Sequence, residues 1–152
     1  MKKITLENYK GDRYYPRIVQ TVHEILERGD DVVTPVEVFI GMGFLLRKSF
    51  EDWRFGRVPY LEKVLQCNLS RISRILRILR MHAHDLDLRP SLTVYMKWGR
   101  GSRTRLRFSK TGEPKLEEAY ALHFFRQKRK DYNARNPETY KTSPPRASRV
   151  GT

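Results

Sequence analysis

Between residues 69 and 80 the chain reads Leu-Ser-Arg-Ile-Ser-Arg-Ile-Leu-Arg-Ile-Leu-Arg, with arginine at every third position and aliphatic residues between. Advancing about 100° per residue from Ile72, the side chains of Ile75, Leu76 and Leu79 stay within roughly 60° of it. Arg80, Arg77, Arg74 and Arg71 fan across the rest of the circle at about 80°, 140°, 200° and 260°. The segment is therefore an amphipathic helix with one aliphatic face and one guanidinium face. Asn68 is placed to cap it, and the pattern runs to about His84. Such a helix must lie against a core that the remaining sequence supplies.

Ile18, Val19, Val22, Ile25 and Leu26 have the spacing of one helix face, ended by Gly29. Thr34-Pro35-Val36-Glu37 combines a capping threonine, proline at the first helical position and glutamate three residues after the cap. The following residues, 38–46, are apolar on every side, which predicts a helix in the middle of the core, with Gly41 and Gly43 as points of close packing. A helical turn over 49–55 is broken near Gly56 and Pro59, and a short helix over 59–66 precedes Asn68.

After Pro90 the pattern becomes alternation, with Leu92, Val94, Met96 and Trp98 on one side. Residues 99–102 turn the chain, and the returning strand points Thr104, Leu106 and Phe108 inward and Arg103, Arg105 and Arg107 outward. A helix over 114–125, with Leu116, Ala119, Tyr120, His123 and Phe124 on one face, helps to cover the hairpin. The expected fold is α+β and mainly helical. A single domain over 14–125, with one antiparallel β-hairpin, follows an unassigned arm over 1–13 and precedes a basic tail over 126–152 that is expected to be disordered when free.

Charge enters where its distribution is uneven. The formal charge is +14, and residues 68–112 hold 11 basic side chains against only Asp85 and Asp87. The tail carries most of the remaining excess, while residues 1–67 are nearly balanced. A polyanionic partner is the simplest physical explanation. One cysteine, Cys67, excludes an intramolecular disulfide framework and a zinc site built on several thiolates. With no apolar run of membrane-spanning length, and no signal-peptide core after the N-terminal lysines, a cytoplasmic setting is expected, nucleoid-associated if the source is bacterial.

Arginine suits a polyanion because its planar fork donates two parallel hydrogen bonds to a phosphate or to a guanine edge. On the helix, Ser70 and Ser73 add short donors beside Arg71, Arg74, Arg77 and Arg80. A merely solvated face would also carry charge, but it would ordinarily mix signs for i, i+4 pairing. On the hairpin, Lys97, Arg103, Arg105 and Arg107 gather on an outward face with Tyr95, and Arg100 and Lys110 lie at the turn and the exit. Like charges facing one another across strands are destabilising unless something outside neutralises them. Lys128, Arg129 and Lys130 lead the tail and fit an arm along phosphates, a localisation signal or a solvated cluster equally well.

Helix 59–66, the turn at Cys67-Asn68, the arginine helix and the basic hairpin together resemble the winged helix-turn-helix family over about residues 59–110. The resemblance implies a recognition helix over 69–81 in the major groove and a wing over 97–107 along the backbone or minor groove. The glycine usual in the turn is absent here. The expected function is nucleic-acid binding, to DNA through these two elements. RNA binding, or a role as a small accessory or structural subunit of a larger nucleoprotein complex, suits the same composition. On this reading Arg74→Ala and Arg77→Ala weaken binding and leave thermal stability near that of the wild type.

Other motifs point less firmly to chemistry. His82-Ala83-His84-Asp85 invites a metal reading but lacks the last two positions of the metallohydrolase pattern, and histidines near a helix C-terminus need no metal. Residues 53–57, Trp-Arg-Phe-Gly-Arg, fit either a base-stacking loop or core aromatics with exposed arginines. Glu113, Glu117 and Glu118 are spaced as helix-start charges. No phosphate-binding loop, dinucleotide fingerprint, nucleophile elbow or zinc-protease motif occurs, so neither catalysis nor a cofactor is expected.

Overall fold

A computed structural model describes residues 4–127. The expected basic tail lies outside these residues from position 128 onward. The described chain is α+β and mainly helical, as the sequence implies, with five α-helices and a three-stranded antiparallel sheet.

Helix α1 (Tyr15–Glu27) places Ile18, Val22 and Ile25 inward and is closed by Gly29 at φ +93°. Strand β1 (Val32–Val33) leads into α2 (Pro35–Gly41), where the Thr34 hydroxyl accepts from the Glu37 amide at 3.0 Å, the cap its sequence implies. The apolar run does not stay helical to Leu46. Helix α2 stops at Gly41, Gly43 takes φ +84°, and Leu46 is exposed at the start of α3 (Arg47–Arg54). Gly41 serves close packing: a Cβ there would lie 2.5 Å from Cγ2 of Thr21 on α1. Thr21 cannot turn aside freely, because its hydroxyl donates to the Arg17 carbonyl at 2.8 Å.

The expected helix over 59–66 is instead one 3₁₀ turn, Leu61–Val64. Its first amides are taken by tertiary partners, Leu61 N–H by the Arg107 carbonyl at 3.3 Å and Glu62 N–H by the Phe108 carbonyl at 2.9 Å. Tyr60 and Leu65 on either side are extended, so no α-helical turn can form. Asn68 then caps α4 (Leu69–Asp85), its side-chain oxygen accepting from the Arg71 amide at 2.9 Å. The helix ends at Asp85, and two residues on Asp87 takes the left-handed conformation (φ +58°) while Leu88 N–H returns to the Ala83 carbonyl at 3.0 Å. Aspartate tolerates that conformation better than most residues.

That turn delivers the chain to β2 (Arg89–Leu92), an edge strand whose Pro90 is acceptable because one edge needs no partner. Helix α5 (Pro114–Ala121) is capped by Glu113, and β3 (Leu122–Phe125) pairs with both other strands in the order β1-β3-β2. The expected helix to residue 125 is thus corrected. His123 and Phe124 are both buried on opposite faces of the central strand, with Phe124 opposite Val33 and Pro90.

The expected hairpin is present in reduced form. Met96 and Arg105 form a single bridge, Lys97 N–H meets the Thr104 carbonyl at 2.8 Å, and Leu106 N–H meets the Tyr95 carbonyl at 2.8 Å. Its first leg has the opposite phase to that expected: Tyr95 is 7% exposed, whereas Leu92 and Val94 are 59% and 49% exposed. Tyr95 turns inward because its ring joins Trp53, Phe108 and His123, with centroids 5.4, 5.2 and 5.5 Å away. Its hydroxyl meets Nε2 of His123 at 2.9 Å, so the polar end is also satisfied. On the return leg Phe108 is buried and Arg103, Arg105 and Arg107 are exposed, as expected, although Thr104 is exposed too. Among the described residues no helix is long and apolar enough to cross a membrane.

Candidate nucleic-acid interface

The first turns of α4 expose Ser70, Arg71 and Ser73. Ser70, Arg71 and Arg74 share a cleft of about 430 Å³ with Arg13, Tyr14 and Asn68. The cleft mixes guanidinium, hydroxyl and amide donors, the set that holds phosphate oxygens. Arg13 also lies over the Tyr14 ring, 4.9 Å from its centroid. These two residues were not expected at the site, because the chain before the α1 periodicity at Ile18 shows no pattern that would attach it to α4.

The same N-terminal segment alters the arginine arc. Ile4 and Tyr9 are buried in the core. Asp12, whose side chain is 1% exposed, forms an ion pair with Arg74, itself only 19% exposed. Arg77 Nε donates to the Ile4 carbonyl at 2.8 Å. The Tyr9 hydroxyl donates to Asp85, which holds that carboxyl below its usual range. Arg74 and Arg77 therefore bind the arm to the helix, and the expectation that Arg74 can be removed without loss of stability is corrected. Arg80 and Arg71 remain exposed at the two ends of the arc, and among the described residues neither has a carboxylate within ion-pair distance.

Around the hairpin turn Arg100, Arg103, Arg105 and Arg107 are exposed and likewise without a carboxylate partner among the described residues. Gly99 and Gly101 hold φ near +100°, which allows the turn to narrow. The hairpin base is fixed: the Arg107 carbonyl accepts from Trp53 Nε1 at 2.8 Å, and Lys110 N–H donates to Glu62 at 3.0 Å. Lys97 is half-buried against Gly56, and Lys110 is exposed. Tyr95 is corrected from an outward aromatic contact to a core residue. Burial pushes its hydroxyl up to about 12. Lys128, Arg129 and Lys130 lie outside the described residues. No hydrogen bond or ion pair among the described residues links Arg71, Arg77 or Arg80 to the arginines of the hairpin.

The remaining motifs resolve into structural roles. His82 is buried edge-on to Tyr15, 5.8 Å between centroids, and desolvation lowers its basicity. No cluster of three or more described His, Cys, Asp or Glu side chains is placed to hold a metal. Trp53 and Arg54 are core residues, while Arg57 sits over the exposed Phe55 ring. Glu117 accepts from the Phe108 and Ser109 amides and from the Ser109 hydroxyl, tying α5 to the hairpin exit.

His123 supplies a pH prediction. Burial pushes its imidazole down to about 4, so it is neutral in the folded protein at neutral pH. An unfolded chain takes up that proton near pH ~6.5, so stability is full above this value and falls as pH drops towards 4. The expected loss over that window is about 3 kcal/mol. Denaturant unfolding at pH 7.5 and at successively lower pH measures it, and His123→Gln should flatten the dependence.

Comparison with protein-family models, curated proteins and solved structures returns no match for this chain.

Proposed function

We propose that this chain binds nucleic acid, and that it binds duplex DNA through α4 and the hairpin turn. The observation that carries the proposal is the set of exposed guanidiniums at Arg71, Arg80, Arg100, Arg103, Arg105 and Arg107, which have no carboxylate partner among the described residues. A protein gains nothing internally by crowding like charges on one turn, whereas phosphates that pass along it neutralise them. The order of elements supports a winged helix-like reading. Helix α4, with Ser70, Arg71 and Ser73 exposed on its first turns, is followed by strand β2 and a basic hairpin closed by the Met96–Arg105 bridge, and α5 then leads to β3, which returns antiparallel beside β2. In this reading Ser70, Arg71 and Ser73 face the groove, Arg13 and Arg80 flank it, and residues 97–107 follow the backbone.

The test separates binding from folding. Arg71→Ala with Arg80→Ala, and separately Arg103→Ala with Arg105→Ala, are expected to weaken binding of a labelled duplex at least tenfold in fluorescence anisotropy. Thermal unfolding should remain within about 2 °C of the wild type, because these side chains are exposed and have no ion-pair partner among the described residues. Wild-type affinity in both double variants would refute the assignment. A hairpin RNA that outcompetes the duplex in the same titration would move the proposal to RNA.

A further inference from the structure

Arg54, on the last turn of α3, is 7% exposed and has no hydrogen-bond or ion-pair partner for its guanidinium among the described residues; its Nε is fully enclosed. The group lies against two aromatic faces, 4.5 Å from the Trp98 centroid and 4.9 Å from that of Tyr95. These faces contribute a modest attraction but accept no hydrogen bonds in the guanidinium plane. A buried lysine or histidine can shed its proton to escape such a site, but arginine stays charged. Desolvation lowers its proton affinity, the direction expected for an uncompensated cation.

Arg54 lines a cleft of about 730 Å³, within the size range of small-molecule sites. Phe50, Tyr95 and Trp98 form apolar walls there. Three carboxylates also line the cleft, and each already has a cation: Glu37 is engaged by Arg28 at 3.2 Å and Arg47 at 2.9 Å, Asp30 by Arg28 at 2.7 Å and Asp31 by Arg126 at 3.8 Å. His123 adds a second enclosed polar atom without a partner among the described residues, Nδ1. A buried guanidinium without a partner among the described residues, aromatic walls and carboxylates already engaged by other arginines suit an anion on a flat apolar body.

We propose that this cleft binds a small molecule carrying an oxyanion, a carboxylate or a phosphate, on an aromatic or apolar body, with Arg54 as the anchor. The site adjoins the proposed wing through Trp98, but its anchor, Arg54, is not among the residues assigned to nucleic acid. Its recognition rests on the planar fork of Arg54 donating to two oxygens while Phe50 and Trp98 cover the body of the ligand.

Four probes test it on the full-length chain: acetate, inorganic phosphate, benzoate and phenyl phosphate, each against sodium chloride at matched ionic strength. Benzoate, phenyl phosphate or both are expected to raise the Tm by about 4 °C at ten times Kd, and to bind more tightly than acetate and inorganic phosphate respectively. The stronger of the two identifies the oxyanion. Arg54→Met keeps the packing, removes the charge, and is expected to raise the Tm without ligand and abolish the probe response. Should that variant fail to fold, Arg54→Lys is expected to bind the better probe at least fivefold more weakly. The proposal is overturned if no probe shifts the wild type beyond chloride, or if Arg54→Met, or Arg54→Lys in its place, retains wild-type affinity. Loss of duplex binding in the Arg71 and Arg80 variants with an intact probe response leaves this site standing.

Discussion

Trp53→Ala is expected to lower the free energy of unfolding by about 4 kcal/mol in urea denaturation, the largest loss of any single substitution considered for this chain. Trp53 is fully buried, and its indole meets Phe50, Tyr95 and Phe108 with centroids 6.0, 5.4 and 5.0 Å away. Phe108 stacks in turn on Tyr120 of α5 at 5.1 Å, so one aromatic column joins α3, both hairpin legs and α5. Truncation leaves a cavity among rings from three segments, α3 and the two hairpin legs, which cannot all collapse together. It also removes the Nε1 donor to the Arg107 carbonyl. Trp53→Phe retains much of the packing and loses the hydrogen bond, so about half the effect is expected. The loosened hairpin base should make the bonds after Arg100, Arg103 and Arg105 more sensitive to trypsin.

Arg74→Ala is expected to cost about 3 kcal/mol or more, although it lies in the middle of a surface that otherwise tolerates charge removal. The reason is Asp12, whose carboxylate is enclosed and is left without its ion pair when Arg74 is removed. Asp12 also accepts from the Tyr14 amide at 2.9 Å, so it shapes the start of α1 as well as the contact with α4. The double substitution Asp12→Ala with Arg74→Ala should be less destabilised than the sum of the singles, because the uncompensated carboxylate is gone. Additive losses would show that the pair is not coupled. Arg71→Ala, three residues away, should leave stability unchanged.

These two cases show what a local reading can and cannot reach. Helix α4, its Asn68 cap and the Thr34 cap of α2 were legible because each depends on residues within one or two turns. The aliphatic and cationic faces of α4 likewise follow from a 3.6-residue period. The exit of α5 into β3 was not legible. Leu116, Ala119, Tyr120, His123 and Phe124 fit one helix face, and only the distant pairing with residues 32–33 and 89–92 makes residues 122–125 extended. The 3₁₀ turn at Leu61–Val64 does not lengthen into an α-helix because Tyr60 and Leu65 are extended on either side of it, where the Leu61 and Glu62 amides dock on carbonyls more than forty positions away.

Of the candidate interface, the exposed arginines of the hairpin turn and of the ends of α4 stand where the pattern places them. The middle of the arc does not, because an arm without periodicity folds back and engages Arg74 and Arg77. Tyr95 was misplaced although Leu92, Val94, Met96 and Trp98 are clearly the more apolar set, because a tertiary contact overrides the alternation. Here a tyrosine with a buried partner at His123 displaces Leu92 and Val94 to the surface. Arg54 was readable only as part of an aromatic-basic run, and its isolation in the core is a tertiary fact.

The central claim, that the exposed guanidiniums of α4 and the hairpin meet nucleic-acid phosphates, is tested most directly by the salt dependence of duplex binding. If about five phosphates are neutralised, a plot of log affinity against log salt should fall with a slope near −4.5 for B-form DNA, and the Arg103→Ala, Arg105→Ala variant should reduce that slope by about two. A flat response, or no binding to any nucleic acid at low salt, would contradict the account.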